Sequence, residues 1–377
     1  MYIIIMKLIL QIKLLPTTEQ ANALLDTLKE CNKTCNQISD VVWQNKIFNQ
    51  FKVHHLVYYH LKKTTKLSAQ VIVRCISKVI DAYKPDKKKK RYFKPLGAIT
   101  YDPRILSYKK GVQEVSIWSV DGRLKIPFVC HNPKYLPYIK GEADLVYKKG
   151  KFYLFQTVEV PEEDVKDVEE FIGVDFGVNQ IATLSDGTQY GSETLNKVRD
   201  KYFKVRRSVQ SKCTRGSKKL LKRLKGREQR FASITNHTIA KQVVEKAKSL
   251  NKGIAIEDLT NIRERTTVRK AQRRKHHSWA FGQLRNFLFY KAKLAGVPLK
   301  VVDPRYTSKT CNACKTIGNR NGKHFSCPNC GNFFDADINA AKNIAQLGAF
   351  CKPPRKDVSM FNLVSHIPPK ADRFSCQ

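Results

Sequence analysis

Three acidic residues in this chain stand where a carboxylate needs a reason. Asp175 lies inside the apolar run "FIGVDFGVNQIATLSDG", between Val174 and Phe176, with Gly173 and Gly177 on either side. Glu257 ends the apolar pattern "GIAIEDLT", and Asp337 opens the helical pattern "FFDADINAAKNIA". Each has an ordinary explanation when taken alone. Asp175 could bond a turn, Glu257 could pair with a lysine, and Asp337 could cap a helix whose free amides and dipole favour an acid. Together they ask for more, because the chain carries 70 Lys and Arg against 32 Asp and Glu, and basic neighbours would normally neutralise them. Convergence on divalent cations gives them a purpose. Oxygen donors suit Mg²⁺ or Mn²⁺. Two such ions about 3.5–4 Å apart activate a water and stabilise the leaving oxygen of a phosphodiester.

A second constellation is built from sulfur. Cys311-x-x-Cys314 and Cys327-x-x-Cys330 form two knuckles with twelve residues between them. That spacing suits a ribbon hairpin around one tetrahedral Zn²⁺ held by four thiolates. A redox dithiol is the alternative, and it lacks a thioredoxin-like context. A closed four-thiolate shell makes the zinc structural, and its place just ahead of Asp337 would pin the connection that carries that acid. The remaining cysteines (Cys31, Cys35, Cys75, Cys130, Cys213, Cys351 and Cys376) are scattered and read as plain reduced thiols of an intracellular protein.

The charge balance identifies the partner class. A formal charge of +38 over 377 residues opposes compaction unless a polyanion is near. That favours nucleic acid over an anionic membrane as the partner, and separately no apolar run reaches the length of a membrane span. Residues 199–230 hold fourteen cations, among them Arg206, Arg207, Arg215, Lys222, Arg223 and Arg227, opposed by Asp200 and Glu228. Like charges at this density repel along a helix, and a phosphate backbone removes that cost. Residues 263–277 and the run "KKKKR" at 87–91 are further basic stretches.

Positioning these groups takes at least two architectures. From Met6 to Leu14 the even positions are apolar, which is a strand period and not a signal peptide. Helical pattern follows from Thr17 or Thr18 as N-cap, then strand-like texture from Phe93 to about Val160 with "YKKGK" as a hairpin turn. So a β unit carries a helical insertion after its first strand. The acidic stretch 161–170 reads as a solvated linker. Beyond it the pattern is α/β: strands containing Asp175 and Glu257, long basic helices to about Leu250, a helix from about Trp279 to Ala295, a strand "VPLKVVD", the cysteine cluster and a helix from Ile338.

"IGVDFGVNQIATLSDG", "IAIEDLTNI", "DPRYTSKTCNAC" and "CPNCGNFFDADINAAKNIA", in this order, resemble the TnpB family of transposon-encoded proteins, relatives of the type V CRISPR effector nucleases. The resemblance is dense over 171–347 and weaker over 1–160. It implies an α+β and α/β multidomain protein. The wedge β-barrel would span 1–16 and 92–165, with a helical recognition insertion at 17–91. A RuvC-like nuclease on an RNase H fold would occupy 171–304 and 333–347, interrupted by a zinc ribbon at 305–332 and followed by a weakly ordered tail at 348–377. Carried over position by position, its catalytic acids are Asp175, Glu257 and Asp337. Asp335 competes for the third place, and Asp337 is preferred because it directly precedes "INAAKNI". The implied function is RNA-guided, Mg²⁺-dependent DNA cleavage. Its partners would be a guide RNA from the transposon end and a double-stranded target with an adjacent motif. The implied place is the cytoplasm of a prokaryote, at its nucleoid, or the nucleus of a eukaryote. A strand-joining transposase and a DNA-occluding regulator without cleavage are the rival readings.

Overall fold

The alternation at the amino terminus becomes β1 (Ile5–Leu14), whose Met6, Leu10, Ile12 and Leu14 are buried, in a computed structural model that describes residues 5–109, 111–259 and 281–350. The basic stretch 263–277 and the tail beyond 350 lie outside the described residues. The chain divides into two compact units at Pro161/Glu162.

In the first unit β1 is followed by α1 (Thr18–Asn45), α2 (Gln50–Thr64) and α3 (Ala69–Tyr83). Thr17 starts α1 with a capping box: its hydroxyl accepts from the Gln20 amide at 3.3 Å, and its own amide donates to Gln20 Oε1 at 3.1 Å. Cys31, Cys35 and Cys75 are buried between α1 and α3. The strands then run β2 (Ile99–Tyr101), β3 (Leu106–Tyr108), β4 (Glu114–Ser119), β5 (Gly122–Cys130), β6 (Ile139–Lys148) and β7 (Lys151–Pro161). They pair antiparallel with β1 in the order β2-β6-β7-β1-β5-β4-β3. The two edge strands β2 and β3 are consecutive in sequence, separated by Asp102–Ile105, so the sheet bends nearly closed on itself. The hairpin in "YKKGK" turns on Lys149 and Gly150, both at positive φ (53° and 75°), as a two-residue primed turn requires.

The second unit holds a mixed sheet of β8 (Phe171–Asp175), β9 (Gln180–Leu184), β10 (Gln189–Gly191), β11 (Gly253–Glu257) and β12 (Leu299–Val302). Its order is β10-β9-β8-β11-β12, antiparallel across β10, β9 and β8 and parallel across β8, β11 and β12. Between β10 and β11 come the basic helices α4 (Glu193–Ser211), α5 (Arg215–Leu224) and α6 (Arg227–Ser249), and α7 (Phe281–Leu294) precedes β12. Ile172, Val174, Ile254 and Ile256 form one apolar face that packs with residues of α6 and α7. The opposite face, with Phe171 and Ala255, takes α8 (Ala336–Phe350). This last helix begins two residues before Ile338 and runs to Phe350, so the expected tail at 348 opens with helix. The ribbon strands β13 (Asn319–Asn321), β14 (His324–Ser326) and β15 (Phe333–Asp335) form a separate antiparallel sheet just before α8.

The acidic stretch corrects one expectation. It is strapped to the second unit instead of hanging in solvent: Glu162 pairs with Lys293 (2.9 Å), Glu163 with Lys248 and Glu170 with Lys252, while the Lys166 amide donates to Gly296 O. Among the described residues no helix is long and apolar enough to cross a membrane.

Candidate nuclease site and metal centre

The register of two parallel strands sets the site. Val174 of β8 faces Ile256 of β11, so the next residues, Asp175 and Glu257, end neighbouring strands side by side. Side chains two apart on a strand share a face. Gly173 and Ala255 face α8, and Asp175 and Glu257 therefore lie on that face too. Gly173 has no room for a side chain, since a Cβ there would lie 1.9 Å from Ala341 O and 2.5 Å from the Ala345 amide. Gly348 is similarly tight against Ala255 and Phe171. These contacts let α8 lie directly on the strands, and its first turn carries the third acid.

The two candidates for that acid have different work. Asp335 Oδ1 accepts the amides of Asp337 and Ile338 at 2.9 and 3.1 Å, so it caps α8. Asp337 leaves its backbone alone and pairs with Arg320 of β13, Nη2 to Oδ1, at 2.8 Å. Sequence reasoning missed Arg320; nothing in its local spacing ties it to an acid seventeen residues on.

The charges of the other acids converge on Asp175. Burial pushes the Asp175 carboxyl up to about 8, with the charges of Glu257, Asp337 and Asp335 adding to the rise and Arg320 opposing it. Burial also raises Glu257, against a hydrogen bond from Thr307 and the charge of Arg320. Thr307 Oγ1 donates to Glu257 Oε1 and is a second residue that sequence reasoning passed over. It is held from α8, where the buried Asn343 donates to Thr307 O and Thr310 O at 2.9 and 2.7 Å. The signal was present in "INAAKN", which puts Asn339 and Asn343 one turn apart on the same helix face.

The donor set of carboxylates, with no thiol or imidazole among them, fits hard cations such as Mg²⁺. The three carboxylates are not gathered as tightly as the thiols. Among the described residues, the four cysteines are the only group of three or more whose ligand atoms all lie within 4.8 Å of one another.

Those cysteines form a pseudo-symmetric pair of knuckles. Cys311 O accepts the Lys315 amide and Cys327 O accepts the Gly331 amide, each at 3.0 Å. The Cys311 amide donates to Thr316 O and the Cys327 amide to Asn332 O, each at 2.9 Å. The residue after each second cysteine is left-handed: Lys315 at φ 65° and Gly331 at φ 70°. Cys311–Cys330 and Cys314–Cys327 sulfurs are 3.7 and 3.4 Å apart. A tetrahedron with metal–sulfur bonds of about 2.3 Å has edges of about 3.8 Å, so the four sulfurs fit a metal ion such as zinc. Hydrogen bonds from Thr316, then from Asn329 and Cys327, draw the Cys314 thiol down to about 5, which favours the ligating thiolate. Asn339 of α8 accepts the Asn312 amide at 2.9 Å and donates to Thr310 O at 2.7 Å, so the first knuckle is tied to the helix that carries Asp337.

Of the basic candidates, Arg207, Arg215, Lys222, Arg223 and Arg227 are exposed. Arg206 is half-buried in an ion pair with Glu228, which joins α4 to α6.

Comparison with known proteins agrees with this picture. Residues 281–344 match the family described as Cas12f1-like, TNB domain. A TnpB-like protein of Methanocaldococcus jannaschii is 34% identical over 170 residues, 43% of this chain and 61% of that one. The CRISPR-associated endodeoxyribonuclease Cas12f1 of Sulfoacidibacillus thermotolerans is 33% identical over 219 residues, 52% of this chain and 50% of that one. The chain thus spans between half and three-fifths of the length of these relatives. In fold, it is similar to the protein in a cryo-EM structure of a Cas12f1–sgRNA–target DNA complex. The TM-score is 0.58 with 17% identity, covering 87% of this chain and 83% of that one.

Proposed function

We propose, from the premise that this chain belongs with the TnpB and type V effector proteins, that it is an RNA-guided DNA endonuclease of a transposon. The observation that carries the reading is the placement of Asp175 and Glu257 at the ends of adjacent parallel strands, with the first turn of α8 bringing Asp337 into their electrostatic reach. Crevices at the carboxyl ends of strands are where open α/β sheets bind ligands. The mixed sheet covered by helices on both faces supports the RuvC-like assignment of this unit.

In this reading Asp175, Glu257 and Asp337 hold the catalytic cations. Bound Mg²⁺ supplies Lewis-acid assistance to in-line phosphodiester hydrolysis. Asp335 fixes the start of α8, and Thr307 orients Glu257 by occupying one of its oxygens. Arg207, Arg215, Lys222, Arg223 and Arg227 neutralise backbone phosphates without reading sequence. Zinc at Cys311, Cys314, Cys327 and Cys330 holds the ribbon, and through Asn312 and Asn339 it steadies α8. The guide RNA would select the target by pairing, and the first unit would read the adjacent motif.

The test is a cleavage assay on protein purified with its co-expressed RNA, given Mg²⁺ and a plasmid library with random flanks. Wild type should linearise plasmids carrying one flanking motif, and Asp175→Ala should leave them intact. Binding without cutting would replace the nuclease with a DNA-occluding regulator, and joined ends would replace it with a strand-transfer protein.

A further inference from the structure

The acid cluster contains a cation of its own. Arg320 is the middle residue of β13, paired across the ribbon with Phe325. Its Nε donates to Gly322 O at 3.3 Å, which steers the side chain, and Nη2 reaches Asp337 Oδ1 at 2.8 Å. Its contact is with Asp337, and at longer range its charge opposes the rise that burial imposes on Asp175 and Glu257. Its side chain is 33% exposed while that of Asp337 is 17% exposed, so the arginine is the partner with more open space to move into.

We infer that Arg320 is a resident counter-cation, which keeps the acids from loading divalent ions until a phosphodiester draws the guanidinium away. This rests on the nuclease reading of Asp175, Glu257 and Asp337. Charge accounting carries it. Fully ionised, as metal ligands must be, those acids with Asp335 sum to four negative charges, which two divalent ions balance. With the guanidinium still among them the same two ions leave an excess positive charge in a partly buried site, where it is poorly screened. A phosphodiester restores the balance, and a guanidinium binds phosphate oxygens in a fork that a single carboxylate contact does not satisfy. Metal loading and nucleic-acid binding are then reciprocal, as linkage requires.

The experiment is a Mn²⁺ titration of zinc-replete protein, following free Mn²⁺ by electron paramagnetic resonance. Arg320→Gln and Arg320→Met should bind Mn²⁺ about tenfold more tightly than wild type, equivalent to ~1.4 kcal/mol, and Arg320→Lys should stay close to wild type. A single-stranded DNA oligonucleotide should raise the Mn²⁺ affinity of wild type several-fold and leave Arg320→Gln unmoved. Equal or weaker Mn²⁺ binding by Arg320→Gln would overturn the inference, because the arginine would then be assembling the acids instead of competing for them. Mn²⁺ binding that Asp175→Asn fails to reduce in wild type and Arg320→Gln alike would overturn the nuclease reading itself, and the inference with it.

Discussion

Two candidate metal-ligand sets lie within one unit of this protein, and they are prepared in opposite ways. The four cysteines are already gathered, with Cys311 and Cys327 buried against Phe325 and Ala336. The three carboxylates are near enough for Glu257 and Asp337 to raise Asp175, yet they do not form a group of three whose oxygens all lie within 4.8 Å of one another. The difference follows from charge. A thiol can be neutral and pack as a small hydrophobe before metal arrives, whereas carboxylates at pH 7 repel and must be held apart, protonated or paired. One site is therefore fixed by the fold, and the other waits for its cations.

The strongest way to break this contrast is to remove a sulfur. Cys311→Ser should abolish stoichiometric zinc, read by elemental analysis, and expose residues 305–335 to protease. The free energy at stake is on the order of 10 kcal/mol, as in other structural zinc sites. A variant that keeps its zinc-free ribbon folded would show that the hairpin needs no metal.

Next in size is the platform for the acids. Gly173→Ala puts a methyl group into backbone of α8 and should cost about 3 kcal/mol by chemical denaturation. Cleavage should fall further than stability does, because Asp337 moves with the helix. A variant as stable as wild type would mean that α8 does not lie where the contact requires.

The pH response sharpens the contrast from the carboxylate side. Asp175 has a folded-state value raised to about 8, so ionising it opposes folding. Without divalent ions, stability should decline as pH rises from about 4 to about 8. Asp175→Asn should remove most of that slope, a gain of about 2 kcal/mol at the alkaline end after discounting for partial exposure. Added Mg²⁺ should restore wild type and not the variant. A flat wild-type profile would place Asp175 in a more solvated setting.

The smallest effect tests the knuckle symmetry. Lys315 is left-handed where the second knuckle has Gly331. Lys315→Gly should relieve backbone strain and raise stability by about 0.5 kcal/mol, net of the lost contacts from Lys315 Nζ to Asn312 O and Gln346 Oε1.

Local chemistry was legible and long-range chemistry was not. The parity of Met6–Leu14, the cap at Thr17, the Lys149–Gly150 turn and the paired knuckles are written within a few residues of where they act. Gly173 was visible as a glycine beside Asp175, but its reason, Ala341 O, lies on another element. Arg320 looked like one more cation in a basic chain, and only folding makes it the partner of Asp337. The acidic stretch at 161–170 misled for the same reason, since its lysine partners sit more than eighty residues away, on α6, just after it, and on α7.

The place of β1 in its sheet has a consequence for synthesis. Its partners are β5 and β7, and Ile5 meets Pro161. At roughly 5–20 residues per second, this apolar segment lacks its full set of neighbours for about 8–30 s while the ribosome completes β5 and then β7. The helices α1–α3, which close over local contacts, can fold in that interval. Within this sheet the earliest strand in sequence waits longest for its second neighbour, and a nascent chain stalled before β7 would offer that edge to any chaperone or aggregate nearby.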